Sequence, residues 1–213
     1  AASLGHTLVA DAVTVFMREN PEIDLSLEVS STIGPDLLSQ NVDIGFSVTQ
    51  FHHPALVCEP LFHAEAICVV PIGHPLSLLE RVQPKDLEGA DFISFQRNSR
   101  MRHIIDAVFE QQRVTRRMRM EVFSSAEACA LVSRGAGVAI VEPINVHYGH
   151  WPKVVGIPFV PAAEFTFSWL RPRERGASAR RQDSRGKRGI AEDSATHDRV
   201  RVCARQIFDR VSD

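Results

Sequence analysis

The sequence predicts an α/β protein of two lobes that share one chain, and three observations support this prediction. Helical and strand-like apolar patterns alternate along most of the 213 residues. A break at Pro71, followed by a turn built on Gly73 and Pro75, separates two runs of this alternation. A chain of this length forms one large domain or two small lobes. Chains that pass between two α/β lobes leave a cleft, and such clefts bind small ligands.

The first lobe is predicted within residues 1–70. Residues 1–3 are typical of the end of a strand, and apolar residues then recur at helical spacing from Leu8 to Phe16. Residues 23–29 alternate apolar and polar, as a half-buried strand does. Pro35 is suited to the first position of a short helix, and a third strand follows at 42–46. Alternation of strands and helices implies a parallel sheet.

The second lobe repeats this pattern. In order we predict a strand at 92–95, a helix around 104–109, a strand at 118–122, a helix from 125 and a strand at 138–141. Ser124 and Glu127 have the spacing of a capping box at the second helix. Met118 and Met120 are expected in the core. Strands at 155–160 and 165–170 would return the chain to the first lobe.

These patterns divide the chain into three parts. Residues 1–70 with 162–172 form subdomain I, and residues 71–161 form subdomain II. Residues 173–198 are rich in Arg, Ser, Gly and Asp, so we expect a disordered or irregular tail. Residues 199–213 regain helical spacing and are a candidate addition to subdomain I.

Composition and charge limit the functions open to this chain. Hydrophobic content is 44%, and no apolar run reaches the roughly 18 residues of a membrane span. Residues 1–170 contain 12 basic and 19 acidic side chains. This acidic body argues against direct nucleic-acid binding, which depends on clustered cations. The first residues lack the pattern of a secretory signal, so we expect a cytoplasmic protein with no membrane partner.

The sequence gives no sign of catalysis. Its four cysteines lack metal-ligand spacing and are Cys58, Cys68, Cys129 and Cys203. Cys58 and Cys68 could form a redox pair, although free buried thiols are commoner in a cytoplasmic protein. Motifs of a nucleophile elbow, a zinc protease, a phosphate loop or a dinucleotide site are missing. We therefore predict no enzyme activity, no metal and no cofactor.

Small polar residues stand where the predicted strands lead into helices. They are Ser3, the run Ser30–Thr32 and the pair Ser124–Ser125. Hydroxyls and helix N-termini at the carboxyl edge of a sheet favour an anion, so a ligand with a carboxylate is expected. Each of these residues taken alone is better explained as a helix cap, whereas three such positions around one cleft favour ligand binding for the group.

Several short motifs also occur in a characteristic order. They are Ser3–Gly5, Asn41–Gly45, Glu59–Leu61, Gly73–Leu76, Asp86–Leu87, Phe92–Ser94, Leu131–Val132 and Gly135–Ile140. In this order, over most of residues 1–172, the chain resembles the effector-binding domain of LysR-type transcriptional regulators. It is most similar to the branch of LysR and the opine regulators, through Ala66–Pro71, Arg102–Asp106 and Val141–Pro143.

The resemblance implies a type 2 periplasmic-binding-protein-like fold, in which two Rossmann-like subdomains are joined by two crossing strands. It implies a small-molecule inducer in the cleft, and with the anion preference of the strand-end hydroxyls we expect a carboxylate or an amino-acid derivative as that partner. It further implies a cytoplasmic transcription factor that forms dimers, and tetramers in full length. Promoter DNA would be bound only through an N-terminal winged helix-turn-helix, which we do not find in this chain. Residues 179–196 depart from the family's final helix, and a frame change, an insertion or a divergent terminus would each explain this.

By position, the resemblance carries the inducer site to nine residues: Ser3, Leu4, Ser30, Ser31, Thr32, Phe95, Gln96, Ser124 and Ser125. Two more are added from their chemistry. Glu142 could pair with an ammonium or guanidinium group, and Arg102 could bind a carboxylate bidentately. The alternatives are a solvated turn charge for Glu142 and a surface helix arginine for Arg102.

Two other functions are compatible with the sequence. A solute-binding protein of a transport system has the same architecture and would carry an export signal upstream. A small enzyme acting on a carboxylated metabolite would need a nucleophile or a base held in place. The sequence upstream of Ala1 separates the first alternative from a regulator, because a regulator would have a helix-turn-helix there.

Overall fold

A computed structural model of the chain describes residues 2–30 and 32–173. The described residues form two compact units. The first unit contains Ser3–Phe62 with residues 166–173, and the second contains His63–Phe165. These divisions lie at 62/63 and 165/166, whereas the sequence pattern places them at 70/71 and 161/162. The predictions for residues 174–213, including Cys203, lie outside the described residues.

The first unit is built from three helices and a three-stranded sheet. Its elements are α1 (Ala2–Gly5), α2 (Leu8–Glu19), α3 (Ile33–Leu38), β1 (Gly45–Ser47), β2 (Leu56–Glu65) and β8 (Glu164–Pro172). The sheet order is β1-β8-β2, so β8 occupies the centre. Trp169 of β8 packs on Phe16 of α2 and forms one core cluster with it. The predicted α2 is confirmed, and it ends at Asn20 as the Asn-Pro pair indicates.

Three predictions for this unit are wrong. Residues 2–5 form α1 and are not the end of a strand. Residues 23–29 belong to no strand, and Ile23 and Leu25 pack against the core cluster from a segment without regular secondary structure. The alternation is right only for Ile23 and Leu25, which are half-buried, whereas Leu27 and Val29 are 54% and 50% exposed. A strand also needs a neighbouring strand for its ladder hydrogen bonds. The predicted parallel sheet also fails, because β1 runs antiparallel to β8.

The second unit has three helices around a five-stranded sheet. Its elements are β3 (Ile67–Pro71), β4 (Asp91–Phe95), α4 (Arg100–Gln111), β5 (Arg117–Val122), α5 (Ser125–Val132), β6 (Val138–Val141), α6 (Ile144–Tyr148) and β7 (Val154–Pro158). The strand order is β5-β4-β6-β3-β7. Strand β4 is parallel to both β5 and β6, whereas β3 is antiparallel to β6 and β7.

The parallel part of this sheet decides where polar residues meet. Because β5, β4 and β6 are adjacent and parallel, their carboxyl ends share one edge, which we call the carboxyl edge. Strand β6 is buried at every position, as its continuous apolar run predicts. The predicted core position of Met118 and Met120 is wrong, since they are 37% and 41% exposed. They lie on β5, which ends the sheet and has a neighbour on one side only.

Candidate functional site

Predicted site residues of the second unit follow the carboxyl ends of three neighbouring strands. Phe95 ends β4 and Gln96 follows it, Ser124 and Ser125 follow β5, and Glu142 follows β6. The backbone N–H of Gln96 donates to the carbonyl of Val122, which ties the ends of β4 and β5 together. The fold therefore places these five residues along the carboxyl edge.

The start of α5 shows how two adjacent serines differ. The Ser124 hydroxyl accepts from the backbone N–H of Glu127 at 3.3 Å, and the Glu127 carboxylate accepts from the backbone N–H of Ser124 at 3.4 Å. The predicted capping box is confirmed. Ser125 is buried, and among the described residues its hydroxyl has no hydrogen-bond partner. The Ser125 hydroxyl is thus the one that a ligand could engage without competing with the cap.

Arg102 lies in the first turn of α4, close to the end of β4. Its Nε donates to both carboxylate oxygens of Asp106, at 2.8 and 2.7 Å. Its Nη1 donates to the carbonyl of Phe95 at 3.0 Å and lies 3.5 Å from Oε1 of Glu121. The side chain is only 13% exposed. Arg102 is therefore held in one orientation beside the carboxyl edge, which a freely exposed helix arginine would not be.

Asp106 is shared between two arginines. Its Oδ1 also pairs with Nη2 of Arg116, whose guanidinium lies over the rings of Phe92 and Phe109 at 5.0 and 4.1 Å. The Arg116 side chain is 6% exposed, and burial lowers its pKa below the ordinary arginine value. Its Nη1 is buried without a hydrogen-bond partner among the described residues. A buried cation of this kind destabilises the folded protein unless a carboxylate partner balances its charge.

Glu142 is fully buried at the end of β6. Its Oε2 accepts from the backbone N–H groups of Ile144 and Asn145 at 2.8 and 3.4 Å, and its Oε1 accepts from the Asn145 side chain at 3.2 Å. The carboxylate thereby caps α6. The nearby Cys129 thiol has a pKa raised to about 12, first by burial and then by the Glu142 charge.

The first unit gathers a separate polar cluster where α3 begins. The Ser30 hydroxyl donates to Oδ2 of Asp36 at 2.5 Å, and the Thr32 hydroxyl donates to the same oxygen at 3.2 Å. The backbone N–H of Thr32 donates to the Ser30 hydroxyl at 2.9 Å. Ser31 lies outside the described residues. The structure therefore brings Ser30 and Thr32 together through a carboxylate.

Ser3 and Leu4 lie in α1 and are both buried. The Ser3 carbonyl accepts from the hydroxyl of Thr7 at 2.7 Å, which links α1 to the residue before α2. Among the described residues, no hydrogen bond joins Ser3 to Ser30 or Thr32. Hydrogen bonds therefore do not link these two groups within the described part of the first unit.

A cavity of about 300 Å³ lies at the opposite edge of the second unit's sheet. Pro71, Asp91, Arg117 and Val138 line it, at the end of β3 and the starts of β4, β5 and β6. None of the predicted site residues lines this cavity. Within the described part of the chain, no group of histidine, cysteine and carboxylate side chains could hold a metal ion, and no helix is long and apolar enough to cross a membrane.

The sequence-based predictions missed three residues that bond to predicted site residues: Asp36, Asp106 and Glu121. Asp106 follows Arg102 at the i,i+4 spacing of a helical ion pair, and that signal was available. Asp36 is six residues from Ser30, and Glu121 is on another element, so only the folded chain reveals them. The described cysteines, Cys58, Cys68 and Cys129, are free thiols.

Comparison with known sequences gives one family. The family profile described as "LysR substrate binding domain" matches residues 1–183. The transcriptional activator protein LysR of Escherichia coli is 32% identical over 167 residues, which cover 77% of this chain and 53% of that protein. The regulatory protein NocR of Agrobacterium tumefaciens is 30% identical over 168 residues, covering 78% and 56%. The chain spans about half the length of these relatives.

Solved structures agree on the fold. The effector-binding domain of a BenM variant superposes with a TM-score of 0.79 at 16% identity, covering 100% of this chain and 93% of that one. The BenM effector-binding domain with its effector benzoate gives 0.77 at 16% identity, covering 100% and 90%. At this identity the likeness concerns the fold, which is the type 2 periplasmic-binding-protein-like fold.

Proposed function

The chain belongs to the LysR substrate-binding domain family of transcriptional regulators, and from that premise we propose that it senses a small carboxylated effector. The single observation that carries this proposal is the carboxyl edge of the second unit. Three features follow the neighbouring parallel strands there. They are Ser125, a buried residue whose hydroxyl has no described hydrogen-bond partner, the start of α5, and the fixed side chain of Arg102. Hydroxyls, backbone N–H groups and guanidinium are the groups that bind carboxylates.

The effector contacts are proposed for each unit by itself. In the second unit they are Phe95, Gln96, Arg102, Ser124, Ser125 and Glu142; in the first they are Ser3, Leu4, Ser30, Ser31 and Thr32. Ser125 is proposed as the main hydroxyl contact, because Ser124 already caps α5. Asp36 joins the set as a neighbour of Ser30 and Thr32. An amino-acid-like effector would place its ammonium group near such a carboxylate.

We propose that effector binding changes the conformation of the protein and thereby its regulatory activity. Binding would favour one arrangement of the protein over another, since an effector with equal affinity for both arrangements shifts nothing. We propose that the chain pairs with a second copy, that the full-length protein acts in the cytoplasm as a tetramer on promoter DNA, and that it performs no catalysis. Sedimentation at micromolar concentration tests the pairing, and a purely monomeric mass would contradict it.

A thermal-shift screen tests the effector class. The panel contains amino acids, their amides, benzoate and aliphatic dicarboxylates, and the matched variants are Ser125→Ala and Ser133→Ala. Ser133 is at the other end of α5, where its hydroxyl donates to the carbonyl of Ala130. We expect carboxylates that stabilise the wild type to stabilise Ser133→Ala equally and Ser125→Ala much less. Equal stabilisation of all three proteins, or a response to amides alone, would overturn the proposal.

A further inference from the structure

We infer that Arg102 is the carboxylate receptor of the second unit, that Asp106 orients it, and that Glu121 masks it until a ligand carboxylate arrives. This inference rests on the proposed function and names the group that recognises the carboxylate. It assigns roles to two acidic residues, Asp106 and Glu121, that are not among the predicted site residues. Its basis is the distribution of contacts around one guanidinium.

The guanidinium of Arg102 is fixed on one side. Its Nε is bound by both oxygens of Asp106, and its Nη1 donates to the Phe95 carbonyl. Asp106 is itself held from its other side by Arg116. A side chain that is already ordered loses little rotamer freedom when it binds a ligand, so the site is preorganised.

The other side of the guanidinium is available. Among the described residues, Nη2 of Arg102 makes no hydrogen bond, so its donors are open to a ligand. The side chain is 13% exposed, and it lies beside the last residue of β4, on the carboxyl edge. A planar fork with open donors next to a strand end is suited to a carboxylate.

Glu121 is the weakest of the contacts to Arg102. Its Oε1 lies 3.5 Å from Nη1, at the limit of a hydrogen bond, and its side chain is 39% exposed. Glu121 also lies 3.5 Å from Nε of Arg97, which is 89% exposed. A ligand carboxylate would replace this loose partner with a closer one. Glu121 therefore lowers affinity for anions in general, and a ligand must offer better geometry than Glu121 does.

The two acidic neighbours provide a matched pair of variants. Asp106→Asn and Glu121→Gln each remove one negative charge near Arg102. If the acids act through charge alone, both variants bind anions more tightly. If Asp106 orients the guanidinium, the two variants change anion binding in opposite directions.

The probe is sodium acetate, with acetamide as its neutral analogue and sodium chloride to keep ionic strength constant. The readout is the ¹⁵N-detected NMR signal of the Arg102 side chain in the 213-residue chain, assigned by its loss in Arg102→Lys. We expect acetate, but not acetamide, to shift this signal in the wild type. Glu121→Gln should bind acetate roughly two- to five-fold more tightly, the range for an exposed ion pair. Asp106→Asn should lose most of the response.

Several results would overturn the inference. They are an Arg102 signal that acetate and chloride shift alike, unchanged or weaker acetate binding in Glu121→Gln, and tighter acetate binding in Asp106→Asn. If Asp106→Asn does not fold, the wild type and Glu121→Gln still decide whether Arg102 is a masked receptor. The acetate titration requires no physiological effector, so failure of the effector screen and failure of this inference are distinguishable.

Discussion

Replacing Asp106 should reduce the free energy of unfolding far more than replacing its ion-pair partner Arg116. Asp106→Asn leaves the Arg116 cation in a site that is 6% exposed, between two phenylalanine rings and without its counter-charge. Removing one partner of a fully buried pair costs about 3–5 kcal/mol. Asp106 is 25% exposed, so water partly compensates for the lost charge and we expect about 2–3 kcal/mol, below the range for a fully buried pair.

Arg116→Met should reduce the free energy of unfolding far less than Asp106→Asn does. The methionine keeps an apolar stem against the rings of Phe92 and Phe109, and Asp106 keeps its two bonds from Arg102. The remaining loss is the cation–π contact, about 0.5–2 kcal/mol, partly offset because a buried cation no longer has to be desolvated. We therefore expect a net cost below about 1 kcal/mol for this variant.

Urea unfolding followed by circular dichroism, together with a thermal scan, measures both variants. For a protein of this size each kcal/mol lowers the melting temperature by about 2–4 °C, so Asp106→Asn should melt about 4–12 °C below the wild type. Arg116→Met should stay within about 4 °C of the wild type. The argument from an uncompensated buried charge is refuted if Arg116→Met destabilises the protein as much as Asp106→Asn does.

Two further predictions concern backbone and thiols. Gly137 has φ +147°, and a Cβ there would lie 2.2 Å from a carbonyl oxygen of β4, so Gly137→Ala should cost about 2–3 kcal/mol in urea unfolding. Gly135→Ala, at φ +79° with open space around it, is the control and should cost about 1 kcal/mol; equal costs would contradict the clash. Burial raises the pKa of Cys68 and Cys129 to about 12, above the ordinary value of about 8.5. Because the folded state keeps these protons longer, stability from both thiols is present below pH ~8.5 and is lost as pH rises toward 12. Replacing both by alanine should flatten the fall in stability between pH 8.5 and 10, and an unchanged slope would count against the shifted pKa values.

Local signals in the sequence predicted much of the fold. The capping box of Ser124 and Glu127 and the helix ending at Asn20 depend on residues within one turn, and both are confirmed. The strand predicted at 23–29 is absent, because a strand requires a partner that its own residues do not specify. Met118 and Met120 face solvent because β5 ends the sheet, a fact of topology and not of pattern.

The candidate site also contains some features that the sequence indicates and others that only the folded chain reveals. Ser124 and Ser125 were identifiable because a strand, a short polar run and a helix follow one another there in sequence. The same expectation is wrong for Ser3 and Ser30, which follow no strand. Which serine has an uncommitted hydroxyl was not identifiable, since Ser124 and Ser125 differ only in the direction of their side chains. The contacts of Arg102 with Phe95 and Glu121 join three elements, so no spacing rule could have indicated them.

The central position of β8 in the first unit has a consequence for synthesis on the ribosome. Residues 63–165 are contiguous, so the second unit can fold as soon as it leaves the exit tunnel. The first unit must wait for β8, whose Phe167, Trp169 and Leu170 are fully buried in it. Residues 3–62, although made first, therefore complete their fold last. A nascent chain whose residues up to Phe165 have left the tunnel, while the rest of β8 is still inside it, would have a finished second unit and an unfinished amino-terminal segment. That segment exposes its apolar surface to chaperones during this interval.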